Sequence, residues 1–233
     1  MAHTYFSGLL SRGQLMAQIA IVGGNGKIAR HLIAALTAAG HTPLALVRNT
    51  DHGAELEALG AKVGVLDIEN STDSDFGTAF AGSDAVVFAA GGGADGNIGR
   101  KRTVDFEGSV KSIAGARAAG ISRFVQISAM SVDKPLAADA SDVWTAYVEA
   151  KRDADVALRA SELDWTIIRP GALTDDEATG SITLGEDVGR GQIPRADVAS
   201  LLTAVIADNR TIGKQWEAVS GDKTIIDSVS AAV

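Results

Sequence analysis

Gln18-Ile19-Ala20-Ile21-Val22-Gly23-Gly24-Asn25-Gly26-Lys27-Ile28-Ala29 decides the fold. An apolar run stops at a glycine cluster, and a helical pattern begins at once. That is the layout of a strand, a tight turn and a helix start. The glycines let the backbone turn sharply and come close to a ligand. The free N–H groups of the first helical turn, and the helix dipole, then favour a pyrophosphate. Gly23, Asn25, Gly26, Lys27 and Ile28 are the candidate phosphate-side residues. Ala29 stands where a third glycine is usual, and alanine is small enough for helix–strand packing there. A plain structural turn would carry the same glycines, so the rest of the chain has to decide.

Outward from this turn, apolar runs and helical stretches alternate. Strands are expected at Gln18–Val22, Pro43–Val47, Lys62–Leu66, Ala85–Ala90, Arg123–Ser128, Asp164–Ile168 and Gln215–Val219. Helices are expected at Gly26–Ala39, Ala54–Leu59, Asp73–Ala81, Arg100–Ala119, Asp142–Ala160 and Ala196–Ala207. Ala172–Pro194 reads as glycine-rich and irregular. Strand–helix alternation implies right-handed crossovers and a parallel sheet covered on both faces. The chain thus reads as α/β, a doubly wound parallel sheet with a small C-terminal substrate lobe. Residues 16–233 form the single domain. Residues 1–15 read as an N-terminal extension, either a leader before a natural start at Met16 or an ordinary flexible terminus.

Composition narrows the function classes. The chain has 233 residues, 46% of them apolar, enough for a sizeable core. Acidic residues outnumber basic ones, 29 against 21, and no basic stripe stands out, which argues against nucleic acid. No apolar run is long enough to span a membrane, and no secretory signal is visible. Cysteine is absent, which removes disulfides, thiolate zinc sites and thiol catalysis, and fits a cytoplasmic location. The four histidines show no ligand spacing, so no metal is expected.

Further positions sharpen the nucleotide reading. Arg48 follows the second strand about 22 residues past the turn, where an acidic residue serves NAD and an arginine suits the 2′-phosphate of NADP. NADP is therefore favoured over NAD. Asp67 ends the third strand, where its carboxylate can accept from an adenine amino group with Ile68 against the ring. Capping the next segment is the other reading of Asp67. Ala89, Ala90 and Gly91 end the fourth strand, and small residues there allow close cofactor approach. Tyr147 and Lys151 stand at i, i+4 on one helix face. A lysine beside a tyrosine lowers the phenol pKa, so that it can act as acid or base, and the lysine can also hold the nicotinamide ribose. Ser128 and Ser131 lie past the fifth strand, where a hydroxyl can polarise a carbonyl or simply form a turn.

These residues together resemble the atypical short-chain dehydrogenase/reductase superfamily. Within it, they resemble the NAD(P)H-binding group often labelled as sugar epimerases or uncharacterised oxidoreductases. The resemblance runs from about Ala17 to Val233. It is carried by Val22–Ile28, Arg123–Ser128, Tyr147 with Lys151, Leu163-Asp164-Trp165-Thr166-Ile167-Ile168-Arg169-Pro170-Gly171, Leu173-Thr174-Asp175, and Ile193-Pro194-Arg195-Ala196-Asp197-Val198-Ala199. It implies an NAD(P)-binding Rossmann sheet, with the nicotinamide near Pro170 and Gly171, and a pocket shaped by the segment after Leu173. One departure is Ala129, at or next to which catalytic extended members carry Ser or Thr.

The expected function is an NADP-dependent oxidoreductase of a small carbonyl or quinone-like substrate. Tyr147 would give the proton, Lys151 would tune it and Ser128 would orient the carbonyl. The enzymatic alternative is an epimerase. However, only about 60 residues follow the sixth strand, few for a nucleotide-sugar lobe. The other alternative is a non-catalytic NADPH-binding sensor or partner-binding module, which Ala129 favours. Whether the chain is a monomer or a homodimer is left open by the sequence.

Overall fold

The structure, a computed structural model, describes residues 16–93 and 96–233. The proposed extension, residues 1–15, lies outside the described residues. The chain runs β1 (Gln18–Val22), α1 (Lys27–Ala38), β2 (Thr42–Val47), α2 (Gly53–Ala58), β3 (Lys62–Val65), α3 (Asp73–Phe80) and β4 (Ala85–Phe88). Next come α4 (Ile98–Arg100), a π-helical stretch (Lys101–Glu107), α5 (Gly108–Ala118), β5 (Arg123–Ile127), α6 (Asp142–Arg159) and β6 (Asp164–Pro170). The last part holds β7 (Ala172–Thr174), β8 (Ser181–Gly185), β9 (Gln192–Pro194), α7 (Arg195–Ile206), β10 (Lys214–Ser220), β11 (Lys223–Thr224) and α8 (Ile225–Ala232).

The main sheet has the order β11-β8-β10-β6-β5-β4-β1-β2-β3. From β3 to β10 every pairing is parallel, while β8 joins β10, and β11 joins β8, antiparallel. The order reverses between β1 and β4, the switch point of a Rossmann-like doubly wound sheet. Side chains alternate between two cores, as a strand buried on both faces requires. Ile19 and Ile21 of β1 point into one core, with Leu32 and Leu36 of α1 and Val198 and Leu202 of α7. Ala20 and Val22 point into the other, with Phe76 and Phe80 of α3 and Leu158 of α6. Fully burying a side chain such as Phe80 contributes about 1.5–3 kcal/mol, so these two layers dominate stability.

Local chemistry starts and stops the helices. Thr72 and Asp75 form a reciprocal capping box on α3. Ser141 accepts from the Trp144 N–H at the start of α6. At the turn, Gly23 has φ +81°, and a Cβ there would sit 2.8 Å from the Ala90 Cα. Glycine is therefore required by both conformation and contact.

Two expectations need correction. The single helix expected over Arg100–Ala119 is α4, a seven-residue π-helical stretch and α5. Such widening is rare and turns side chains onto faces that a 3.6-residue period does not reach. The irregular segment Ala172–Pro194 contains β7 and β9, paired in a small parallel ladder, and β8 at the sheet edge. These strands are three to five residues long and separated by glycines, so their pairing, not their own periodicity, defines them. Beyond Val219 the chain adds β11 and α8, which the sequence reading missed. No described helix is long and apolar enough to cross a membrane.

Candidate functional site

At the switch point the carboxyl ends of β1 to β4 surround a cleft of about 550 Å³. It brings together nine of the expected residues: Gly23, Asn25, Gly26, Arg48, Asp67, Ile68, Ala89, Ala90 and Gly91. Asp51, His52, Glu69, Arg100 and Val104 also line it, and were not singled out from sequence. No side chain caps α1 at Gly26. Its first N–H groups therefore remain available to an anion, as a dinucleotide diphosphate requires. Glycine positions that no Cβ fits, an uncapped helix start and a cleft of this volume match the shape and charge of a nicotinamide dinucleotide.

Arg48 is exposed at the rim, and no hydrogen bond or ion pair ties it to another described residue. Asp67 is already engaged. Its carboxylate accepts from the Glu69 and Asn70 N–H groups and from the Asn70 side chain at 2.9 Å. Asn70 chiefly, with these N–H groups and a smaller contribution from Arg48, holds this carboxyl below its ordinary value against the effect of burial. Asp67 thus shapes its own loop and leaves only its remaining lone pairs to a ligand.

Five cofactor-side residues fall outside the cleft wall: Lys27, Ile28, Pro170, Gly171 and Lys151, the last of which sits with Tyr147. Lys27 turns outward to Asp175 at 2.6 Å, and Arg195 shares that carboxylate. The Ile28 side chain is in the core, so only its backbone faces the glycine turn. Pro170 and Gly171 sit at the end of β6. The Pro170 carbonyl accepts from the Met130 N–H, and Gly171 packs on Gly191 and Val219.

Tyr147 and Lys151 do share the inner face of α6. Lys151 is buried, and its ammonium forms a 3.1 Å ion pair with Asp105 of the π-helical stretch. It also reaches the Ala90 and Ile127 carbonyls, at the ends of β4 and β5. Asp105 in turn accepts from the Gly92 N–H at 2.8 Å. Lys101, one turn earlier, donates to the Gly93 carbonyl and lies 5.8 Å from the Tyr147 ring centroid. Trp144 stacks at a tilt beside Tyr147, with ring centroids 5.5 Å apart.

The electrostatic outcome differs from the expectation of a lowered phenol pKa. Burial pushes Tyr147 above its ordinary value; Lys151 pulls it down, but Asp105 and Asp155 push it up again. Burial acts against the Lys151 charge as well. There Asp105, Tyr147 and Asp155 outweigh it and hold the ammonium above its ordinary value. The two-residue spacing argument fails because it omits first the burial of the phenol, and then the carboxylates that the fold brings to the same lysine.

Ser128 is also placed differently from the expected carbonyl-orienting role. Its hydroxyl donates to Asp155 at 2.8 Å and is buried. Asp155 accepts as well from Gln126 at 2.7 Å and from Arg169, whose Nε and second terminal nitrogen lie at 2.9 and 2.8 Å. Burial raises the Asp155 carboxyl, while Arg169, Ser128 and Gln126 oppose that rise. Arg169 reaches on to Asp133 at 2.7 Å. Ser131 adopts φ +61°, and its N–H donates to the buried Glu217 at 2.7 Å. Its strained backbone sits in the loop beside the site.

Asp105, Lys101, Asp155 and Glu217 were not read from sequence. Asp155 had a visible signal, because it continues the i, i+4 row of Tyr147 and Lys151. Asp105 had none, because the π-helical register sets its direction.

The comparisons with known proteins fit this geometry. A family model described as NAD(P)H-binding matches residues 23–209. The Bacillus subtilis (strain 168) protein named as the uncharacterized sugar epimerase YhfK is 32% identical over 213 residues, covering 91% of this chain and 98% of the relative. A solved structure from Bacillus halodurans, described as a candidate NAD-dependent epimerase/dehydratase, is 37% identical with a TM-score of 0.86. It covers 92% of this chain and 99% of that one. The oxidoreductase ylbE from Lactococcus lactis is 26% identical with a TM-score of 0.80, over 92% of this chain and 95% of its own. The chain belongs to the NAD(P)H-binding family, among oxidoreductase- and epimerase-like relatives.

Proposed function

We propose that this member of the NAD(P)H-binding family is an NADP-dependent oxidoreductase acting on a small carbonyl or quinone-like substrate. The observation that carries the reading is the position of Lys151. It reaches the carbonyl of Ala90, a residue that also walls the nucleotide cleft. The nucleotide site and the tyrosine–lysine pair therefore adjoin. A bound nicotinamide cofactor supplies the hydride. The uncapped start of α1 and the glycine turn receive the diphosphate, and the rim guanidinium of Arg48 suits a 2′-phosphate. Tyr147 gives a proton to the substrate oxygen as the carbonyl carbon is reduced. The cysteine-free chain suits a reducing cytoplasm, the compartment we propose.

The test mixes pure protein with NADPH and a panel of quinones, flavins and aldehydes, and follows NADPH absorbance. Turnover that Tyr147→Phe abolishes is the expected result. Epimerisation leaves no net loss of NADPH, so that outcome separates it from reduction. A second reading, a nucleotide-binding sensor without turnover, is favoured by one observation. The Ser128 hydroxyl is committed to Asp155, and Ala129 offers none. Tight NADPH binding with no consumption on any acceptor would overturn the oxidoreductase reading in favour of the sensor or an epimerase.

A further inference from the structure

The π-helical stretch Lys101–Glu107 delivers two charged side chains to the tyrosine–lysine pair, and neither is used by the function proposed above. Asp105 is fully buried, against a 6% exposed Lys151 side chain at 3.1 Å. One oxygen accepts from the Gly92 N–H, and the other has no donor among the described residues besides the Lys151 ammonium. Packing leaves no slack here. A Cβ at Gly91 would come 3.2 Å from Asp105 Oδ1, and one at Gly92 would come 2.6 Å from the Arg100 carbonyl. The β4 loop is thus fastened to the π-helical stretch through Asp105 at Gly92 and Lys101 at Gly93.

We propose that Asp105 is a positioning residue: by taking Lys151 as its ion-pair partner, it leaves Tyr147 a proton donor and suits the site to carbonyl reduction. The inference deepens the oxidoreductase reading and rests on it for the reaction's direction. In an isolated tyrosine–lysine pair, the ammonium stabilises the phenolate and favours proton removal from an alcohol. Here the groups facing the phenol are Lys151 and Asp155 on its own helix, and Asp105 and Lys101 from the π-helical stretch. With Asp155 held by Arg169, Asp105 is the carboxylate that offsets Lys151 directly. In the reduction, a bound reduced nicotinamide would supply the hydride for the new C–H bond, and the carbonyl π pair would move to oxygen. That oxygen takes the Tyr147 proton, and solvent returns a proton to the phenolate.

The experiment needs no substrate and no nucleotide. The chain has two tyrosines, Tyr5 and Tyr147. Ultraviolet titration of the wild type minus that of Tyr147→Phe isolates Tyr147. Its midpoint is expected above that of free tyrosine, and a midpoint below that value overturns the proposal. Asp105→Asn keeps an oxygen for the Gly92 N–H while removing the charge. It is expected to move the Tyr147 midpoint down; an unchanged or raised midpoint in the folded variant overturns the proposal. A purely structural role would leave the midpoint in place. If Asp105→Asn does not fold, Asp105→Ser, whose hydroxyl can still accept from the Gly92 N–H, takes its place: a lowered Tyr147 midpoint is expected, and an unchanged or raised one overturns the proposal. NADPH consumption on the acceptor panel, measured separately, reports on the oxidoreductase reading, so the two failures are distinguishable.

Discussion

Arg169 has two carboxylate partners in contrasting surroundings, which makes the cost of losing each one calculable. Its guanidinium side chain is 5% exposed; Asp155 is fully buried and Asp133 is 49% exposed. Asp155→Ala leaves a buried cation facing one half-solvated partner. It also strips the acceptor from the Gln126 amide and the Ser128 hydroxyl. Breaking a buried pair from one side costs about 3–5 kcal/mol. Asp133→Ala removes a partner that water replaces, and screening reduces the loss to about 1 kcal/mol or less. Total stability of such a domain is about 5–15 kcal/mol, so the first variant loses a large fraction of it. Urea unfolding followed by tryptophan fluorescence measures both. Equal destabilisation by the two variants, or a loss under about 1 kcal/mol for Asp155→Ala, would refute the claim that Asp155 carries the network.

Three further outcomes are expected. Arg48→Ala should weaken NADPH about tenfold or more, the worth of a charge-assisted hydrogen bond, while NADH binding changes little; equal weakening measured by fluorescence titration removes the 2′-phosphate assignment. Gly23→Ala should abolish binding of both nucleotides alike, because its Cβ falls 2.8 Å from the Ala90 Cα at φ +81°; normal NADH affinity would contradict the placement of the turn. Asp133 is held below its ordinary value, by its hydrogen bond to Arg169 first, with burial opposing and the Arg169 charge adding to the shift. Its stabilising contribution is thus present above the ordinary carboxylate value and lost as pH falls through the lower folded one. Asp133→Asn should flatten the acid limb of a stability–pH curve, and an unchanged limb would show that the pair is inert.

The sheet was legible because its strands carry their own signal. Apolar runs such as Ala85–Phe88 need burial on both faces, and the glycines after them mark the turns. The cleft was legible for the same reason: Gly23, Arg48, Asp67 and Ala90 each stand at a strand's carboxyl end, and a parallel sheet gathers such ends on one edge. The substrate side was not. β7, β8 and β9 exist through long-range pairing between short glycine-flanked segments. The Lys151–Asp105 contact joins residues 46 positions apart through a helix of irregular register. Spacing along α6 placed Tyr147 and Lys151 on one face, but the sign of the phenol shift is set first by burial, with Asp105 and Asp155 adding to it. Ser128 was found at the right edge, yet its hydroxyl direction is decided by Asp155.

Stability alone does not account for the ion pair at the centre of this site. Two charges buried at 3.1 Å lose their hydration, and apolar residues of similar volume usually hold such a position as well or better. That argument gives a final prediction. Lys151→Met alone should cost about 3–5 kcal/mol, because it strands the Asp105 carboxylate. The double variant Lys151→Met with Asp105→Leu should recover most of that loss, to within about 1–2 kcal/mol of wild type or above it. It should also lose NADPH-dependent turnover, since neither charge remains beside Tyr147. Thermal melts of the wild type, the single and the double variant decide the first half, and the acceptor panel decides the second. A double variant as unstable as the single one would mean that the pair is structural. A stable double variant without activity would mean that the fold carries these charges for the chemistry at Tyr147.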